Sequence, residues 1–365
     1  MWPDRRLTDL LQIEHPLILA PMAGFATVGL AASVCAAGGL GSISCAAMPP
    51  EITARTIQEL RSLTPKPINV NFFCHVPAEA DADRERAWHG RLSPYYRELG
   101  LDPALLPARL DLPPFGEAMC QVVEAAKPEV VSFQFGLPAP ALLARIKAAG
   151  CRVMSSATTV EEAIWLEAQG ADIVIAQGYE AGGHRAMFLA WDINAALAAQ
   201  LGTFALVPQI AEAVSVPVVA AGGIADGRGI AAAFALGAAG TQIGTAYLLC
   251  PEAGTPPLHR DALRQAGPDA TVMTNVFTGR PARAIANRQA RELGPIAEDL
   301  PDFPLPMGEL VPLRAKAEPQ GSTDFTPLWS GQVLPLQREV PGETLTRKLA
   351  KDALERLKHL GRRSN

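Results

Sequence analysis

The chain has 365 residues, of which 48% are hydrophobic and 19% charged, with a formal net charge of −5. Such a composition supports a large buried core and excludes a disordered chain. The mild acidity offers no basic face to nucleic acid and no electrostatic pull toward an anionic membrane. The length suits one barrel domain with insertions.

In chain order, short apolar runs alternate with amphipathic stretches. The runs are Leu17–Ala20, Leu40–Ser44, Pro67–Phe73, Val130–Phe135, Arg152–Ser155, Asp172–Gln177, Pro217–Ala221 and Thr241–Gly244. Several are apolar at nearly every residue, as parallel strands buried on both faces must be. Helices are expected at Val28–Ala37, Glu51–Ser62, Pro140–Ala149, Val160–Gln169 and Gly227–Leu236, with a longer crossover at Asn194–Val214 broken by Pro208. Eight such units imply an α/β fold, a (β/α)8 TIM barrel. Two stretches break the rhythm, Cys74–Lys127 and Pro251–Pro327, and both leave from C-terminal strand ends. The expected organisation is therefore a barrel of residues 1–73, 127–250 and 328–365. Residues 74–126 and 251–327 would form a joint cap over the catalytic face. Gly342–Leu360 should be the last outer helix.

The six cysteines are scattered, with no C-x-x-C pair and no zinc-spaced histidines. This fits a reducing, cytoplasmic setting. The N-terminal stretch carries acids and Pro3 where a signal peptide needs an apolar centre. No run of about 18 apolar residues reads as a membrane span.

The chemistry concentrates at strand ends. Ala221-Gly222-Gly223-Ile224 follows the seventh strand, and Gln242-Ile243-Gly244-Thr245 ends the eighth. Barrels bind phosphate there, where glycines let backbone N–H groups approach an anion and a helix N-terminus adds donors. A ligand-free tight turn would use the same Gly-Gly, but two motifs at the two phosphate positions favour an anion. After the sixth strand, Gln177-Gly178-Tyr179-Glu180-Ala181-Gly182-Gly183-His184-Arg185 lets the backbone pass close to a flat ligand through Gly182 and Gly183. It then presents His184 as a proton donor or acceptor. The other five histidines lack that setting and read as structural or solvated. Ala20-Pro21-Met22-Ala23-Gly24 makes a sharp turn after the first strand, equally a plain strand-to-helix turn or a ligand contact. Asn69 and Asn71 share one side of the third strand. Asn71, nearer the catalytic end, could bond a ligand's polar edge or a neighbouring loop.

At these residues the sequence resembles the nitronate monooxygenase family, class I bacterial type. The likeness rests on APMAG (Ala20–Gly24), VNFF (Val70–Phe73), QGYEAGGHR (Gln177–Arg185), AAGGIADGRG (Ala220–Gly229), QIGTAY (Gln242–Tyr247), TGRPARAIANR (Thr278–Arg288) and LWSGQ (Leu328–Gln332). The resemblance implies a non-covalent FMN. Pro21 and Met22 would lie near its ring, and Asn71 and Gln177 would bond it. Gly182, Gly222, Gly223, Gln242, Ile243, Gly244 and Thr245 would bind ring, ribityl chain or phosphate. His184 matches the family's active-site histidine, and Ala186 stands where members more often have glycine, which would narrow the mouth slightly. The implied reaction is oxidative denitrification of alkyl nitronates, such as propionate-3-nitronate, by O2. Protonated or hydrogen-bonding, His184 would orient the anion; with neutral nitroalkanes it would act as base. The alternative is a flavin-dependent NAD(P)H:quinone or enoyl-thioester reductase on the same barrel. The partners implied are small molecules, and a homo-oligomer is compatible with the apolar helix faces.

Overall fold

Eight parallel strands close on themselves in the computed structural model, which describes residues 1–104, 110, 112–190 and 192–362. They are β1 (Leu17–Leu19), β2 (Gly41–Ser44), β3 (Ile68–Phe73), β4 (Val130–Gln134), β5 (Arg152–Ala157), β6 (Ile173–Gln177), β7 (Val218–Ala221) and β8 (Gly240–Ile243). Each pairs with its chain neighbour, β8 pairs with β1, and a parallel bridge between Ile18 and Leu40 joins β1 to β2. The expected TIM barrel is therefore observed. The near-unbroken burial of these strands explains their continuous apolar runs.

The outer helices follow the expected spans closely. Helix Glu117–Ala126 packs between Pro50–Leu63 and Pro140–Ala148 in the ring. Helix Gly342–Arg362 packs on Gly227–Ala235 and Val28–Ala36, completing the eighth unit. Gly227 has no room for a side chain, because a Cβ would lie 2.6 Å from Ala353 N.

One expectation fails. Pro208 does not break the crossover; it lies inside helix Thr203–Ala213. The break falls earlier, between helix Ile193–Ala198 and Thr203. There the Glu180 carboxylate accepts from Thr203 N at 3.0 and 2.8 Å and sets the start of the second helix.

The two insertions share a hydrophobic core. Trp88, Leu92 and Tyr96 of helix Ala82–Glu98 pack with Phe277, Leu300, Leu313 and Phe325. The Tyr95-Tyr96 pair belongs to this packing, with Tyr96 donating to Glu309 O at 2.7 Å. The second insertion also holds a small antiparallel sheet not anticipated from its Pro- and Gly-rich sequence. Strands Thr271–Thr274 and Ala282–Ile285 pair, and the latter also pairs with Gly183–His184 at the barrel mouth. Among the described residues, no helix is long and apolar enough to cross a membrane.

Candidate active site

The catalytic rim is built from turns at the C-terminal strand ends. Gly222 and Gly223 end β7 at φ 108° and 69°, a region open mainly to glycine. A Cβ on Gly222 would lie 3.0 Å from both Ala181 N and Thr203 Oγ1. The N–H groups of Gly223, Ile224 and Thr245 have no partner among the described residues. Helix Gly227–Ala235 contributes less than expected, because Asp226 caps its Arg228 and Gly229 N–H groups. Free donors therefore come from the β7 turn and the start of the 3-10 turn Thr245–Tyr247.

Neighbouring segments lock this rim together. Gly331 N donates to Thr245 Oγ1 at 2.8 Å, and Gln332 N to Glu180 O at 3.1 Å. Gly182 must be glycine here, since a Cβ would sit 2.4 Å from Gly331 N. Met22 reaches the same rim, with its sulfur 3.4 Å from where a Gly244 Cβ would stand. Gln242 Oε1 is buried without a partner. An unpaired buried amide oxygen beside free N–H groups is a hydrogen-bond deficit that a polar ligand with donors and an anionic end would fill.

His184 stands on the other side of this mouth. The side-chain amide of Gln177, at the end of β6, grips the histidine's strand at two points. Nε2 donates to His184 O at 2.9 Å, and Oε1 accepts from Ala186 N at 2.9 Å. Gln134 of β4 adds a third bond to His184 O at 3.2 Å. The buried Arg185 guanidinium ties the loop back to Gln177 O and Gly178 O at 2.9 and 2.6 Å. The imidazole then meets Thr278 Oγ1 through Nε2 at 2.9 Å.

The ring around His184 is aromatic. Its centroid lies 5.5 Å from Phe303, 6.0 Å from Phe135, 6.3 Å from Phe73 and 5.3 Å from Trp329. Part of the imidazole opens to the space it lines, yet it lies deep below the surface. Burial, with Arg280 and His75 nearby, pushes its pKa down to about 3. This favours the neutral ring near pH 7 when no ligand is bound.

A family profile described as nitronate monooxygenase matches residues 4–352. The chain is 43% identical over 349 residues to a nitronate monooxygenase of Pseudomonas aeruginosa, covering 95% of this chain and 98% of that one. The chain belongs to the nitronate monooxygenase family. A nitronate monooxygenase of Paraburkholderia phytofirmans is 41% identical, with 99% and 98% covered. Among solved structures, a nitroalkane oxidase from Streptomyces ansochromogenes superposes with TM-score 0.88 at 37% identity, over 97% and 99% of the two chains. FabK from Thermotoga maritima superposes at 0.75 with 31% identity, over 99% of each. Family membership makes the chain an oxidoreductase of a flavin-dependent family.

The residues singled out from sequence lie at one end of this nitronate monooxygenase barrel, on strands or the turns that leave them. Pro21 and Met22 follow β1. Gly182 and Gly183 precede His184, with Gly183 at φ 69°. Gly222, Gly223, Gln242, Ile243, Gly244 and Thr245 form the β7–β8 side. Asn71 points into the barrel and donates to Ser132 O and Oγ at 3.2 and 3.1 Å. Ala186 is fully buried, so its methyl packs inside and does not narrow the mouth as expected.

His75, expected to be structural or solvated, is buried beside the His184 wall. Its ring lies 4.9 Å from Phe303, opposite His184 on the same aromatic wall, and its Nε2 pairs with Leu112 O at 3.0 Å. Burial pushes its pKa down to about 4. Gln134, Thr278, Arg280 and Phe303, not singled out from the sequence, border His184.

Proposed function

We propose that this chain binds FMN and oxidises alkyl nitronates with O2, giving a carbonyl compound and nitrite. The observation that carries the reading is the joint placement of free N–H donors at the β7–β8 rim and a neutral, aromatic-walled imidazole at the same mouth. Gly223, Ile224 and Thr245 suit the cofactor's phosphate, Gln242 its polar ring or ribityl groups, and Pro21 and Met22 its apolar edge. Bound flavin supplies the electron transfer between nitronate and O2.

The chain's own residues do the rest. Thr278 also lies 3.3 Å from Arg280 O. When its hydroxyl hydrogen goes instead to His184 Nε2, that nitrogen accepts and Nδ1 carries the ring N–H, which can donate to an oxyanion. A ring of such weak basicity holds and orients a substrate by hydrogen bonding and is poorly matched to removing an α-proton near neutral pH. That favours preformed nitronates over neutral nitroalkanes. Phe73, Phe135, Phe303 and Trp329 exclude water around it. Residues 74–126 and 251–327 would act as the cap that closes this mouth, in a cytoplasmic enzyme acting on small molecules.

A second reading, a flavin-dependent NAD(P)H:quinone or enoyl-thioester reductase, draws support from a 470 Å³ cavity. It is lined by Met48, Pro50, Phe72, Phe73, Phe115 and Met119 and has room for a longer apolar substrate. Anaerobic mixing of the purified flavoprotein separates the two. Bleaching by a nitronate, with nitrite release and O2 uptake in air, is expected. Bleaching by NADH or NADPH alone would replace this reading with the second.

A further inference from the structure

Arg280 carries a partly buried positive charge that no carboxylate meets within ion-pair distance among the described residues. Its guanidinium stands 4.2 Å above the Phe135 ring and 6.0 Å from that of Phe303. Nη1 donates to Met187 O at 3.0 Å, and no other bond of the guanidinium to the described residues is formed. The acidic groups that bear on it are engaged elsewhere. Glu162 accepts from Thr158 N at 2.6 Å and Phe188 N at 2.7 Å. Asp302 accepts from Arg84 Nη1 at 3.0 Å. The histidines on the same wall, His75 and His184, bring no negative charge.

A guanidinium has five donors in a planar fork. One carbonyl and one aromatic face leave most of them unused. A partly desolvated cation without a counter-charge is unfavourable. The arrangement becomes favourable when an anion completes it. Burial lowers the Arg280 pKa to about 10, which still leaves it charged at neutral pH.

The position says which anion. Arg280 shares Phe135 and Phe303 with His184, and its backbone N–H reaches Thr278 Oγ1 at 3.3 Å, the atom that holds the imidazole. Phe135 follows β4, across the barrel from the β7 and β8 turns. The charge therefore faces the reacting side of the mouth, away from the turns suited to a phosphate.

We propose that Arg280 is the anion-binding group of the substrate site and makes the enzyme select substrates by negative charge over neutral molecules of the same shape. This rests on the nitronate reading and deepens it. The ligand class is a small planar oxyanion, recognised by the fork with His184 as a neutral hydrogen-bonding partner.

The test uses flavin-loaded enzyme and its Arg280→Gln and Arg280→Lys variants. Nitrate serves as a competing anion, ethylnitronate as substrate and nitroethane as a neutral competitor. In Arg280→Gln, KM for ethylnitronate and Ki for nitrate should rise roughly 30-fold, with Ki for nitroethane unchanged and Arg280→Lys intermediate. Wild-type constants for both anions in Arg280→Gln would overturn the proposal. The wild-type protein provides an independent check should that variant fail to fold. Nitrate Ki should stay flat from pH 6 to 9, since a guanidinium keeps its charge there. A steady weakening with rising pH would assign the anion to an imidazolium and overturn it. Wild-type enzyme that binds nitrate through Arg280 but does not oxidise nitronates would sink the functional reading alone.

Discussion

His184 Nε2 lies 2.9 Å from Thr278 Oγ1, a bond that joins the barrel's sixth strand end to a turn 94 residues later. It ties the second insertion to the proposed catalytic geometry, because the imidazole's orientation depends on a side chain from that segment. Thr278→Val removes the partner while keeping the volume. Turnover should fall about tenfold, with Thr278→Ser restoring most of it. His184→Asn should keep bound flavin and lose about a hundredfold or more in kcat. Steady-state kinetics with flavin content measured on each variant checks both. Unchanged nitronate oxidation in His184→Asn would refute the role given to the ring.

Acid should destabilise the protein well before its carboxylates titrate. Burial lowers four histidines from the usual 6.5: His15, and further His184 to about 3 and His75 and His259 to about 4. Between about pH 6.5 and 4 the unfolded chain binds these protons and the folded one does not. Stability is therefore present above pH 6.5 and drains away as pH falls, by about 1.4 kcal/mol per pH unit for each histidine. Melting temperature followed from pH 7.5 to 5 should drop, and His259→Leu should flatten the slope. An equal slope in that variant would show that His259 titrates normally.

The barrel was legible because parallel strands buried on both faces leave continuous apolar runs. The helices between them end in glycine-containing loops such as Ala149–Gly150–Cys151. The rim glycines were legible for a different reason: positive φ at Gly222 and Gly223 leaves glycine as the ordinary choice. What stayed hidden depended on long-range contacts. Phe303 meets His184 only through a contact across more than a hundred residues of chain. The strand Ala282–Ile285 takes its second partner from the two residues Gly183–His184, too short to show periodicity. Pro208 misled because proline usually ends a helix. Here the boundary was set by Glu180, a carboxylate more than twenty residues upstream that caps Thr203.

Gly182 holds its place by packing. With a Cβ 2.4 Å from Gly331 N, Gly182→Ala must push the Ser330–Gly331 turn outward and break the bond from Gly331 N to Thr245 Oγ1. Thr245 starts the short turn proposed to face the cofactor's phosphate. The variant should therefore purify with less flavin and recover part of its yellow colour in excess FMN. Its melting temperature in the flavin-free state should fall less than that of the holoprotein, because lost ligand linkage adds to the packing cost. Full flavin occupancy with a wild-type melting curve would show that the turn tolerates the methyl.

Gln177 offers the sharpest separation between positioning and cofactor contact. Both ends of its amide are already used, on His184 O and Ala186 N. Gln177→Leu leaves those two backbone groups without that partner inside the barrel, at a cost of about 1–3 kcal/mol each. Gln134 Nε2, 3.2 Å from His184 O, compensates one of them in part. The histidine loop should loosen, lowering kcat more than it raises KM. Flavin affinity, titrated by fluorescence quenching of free FMN, should change little if the amide serves the loop alone. A large loss of FMN affinity with kcat preserved in the residual holoenzyme would instead place Gln177 against the cofactor.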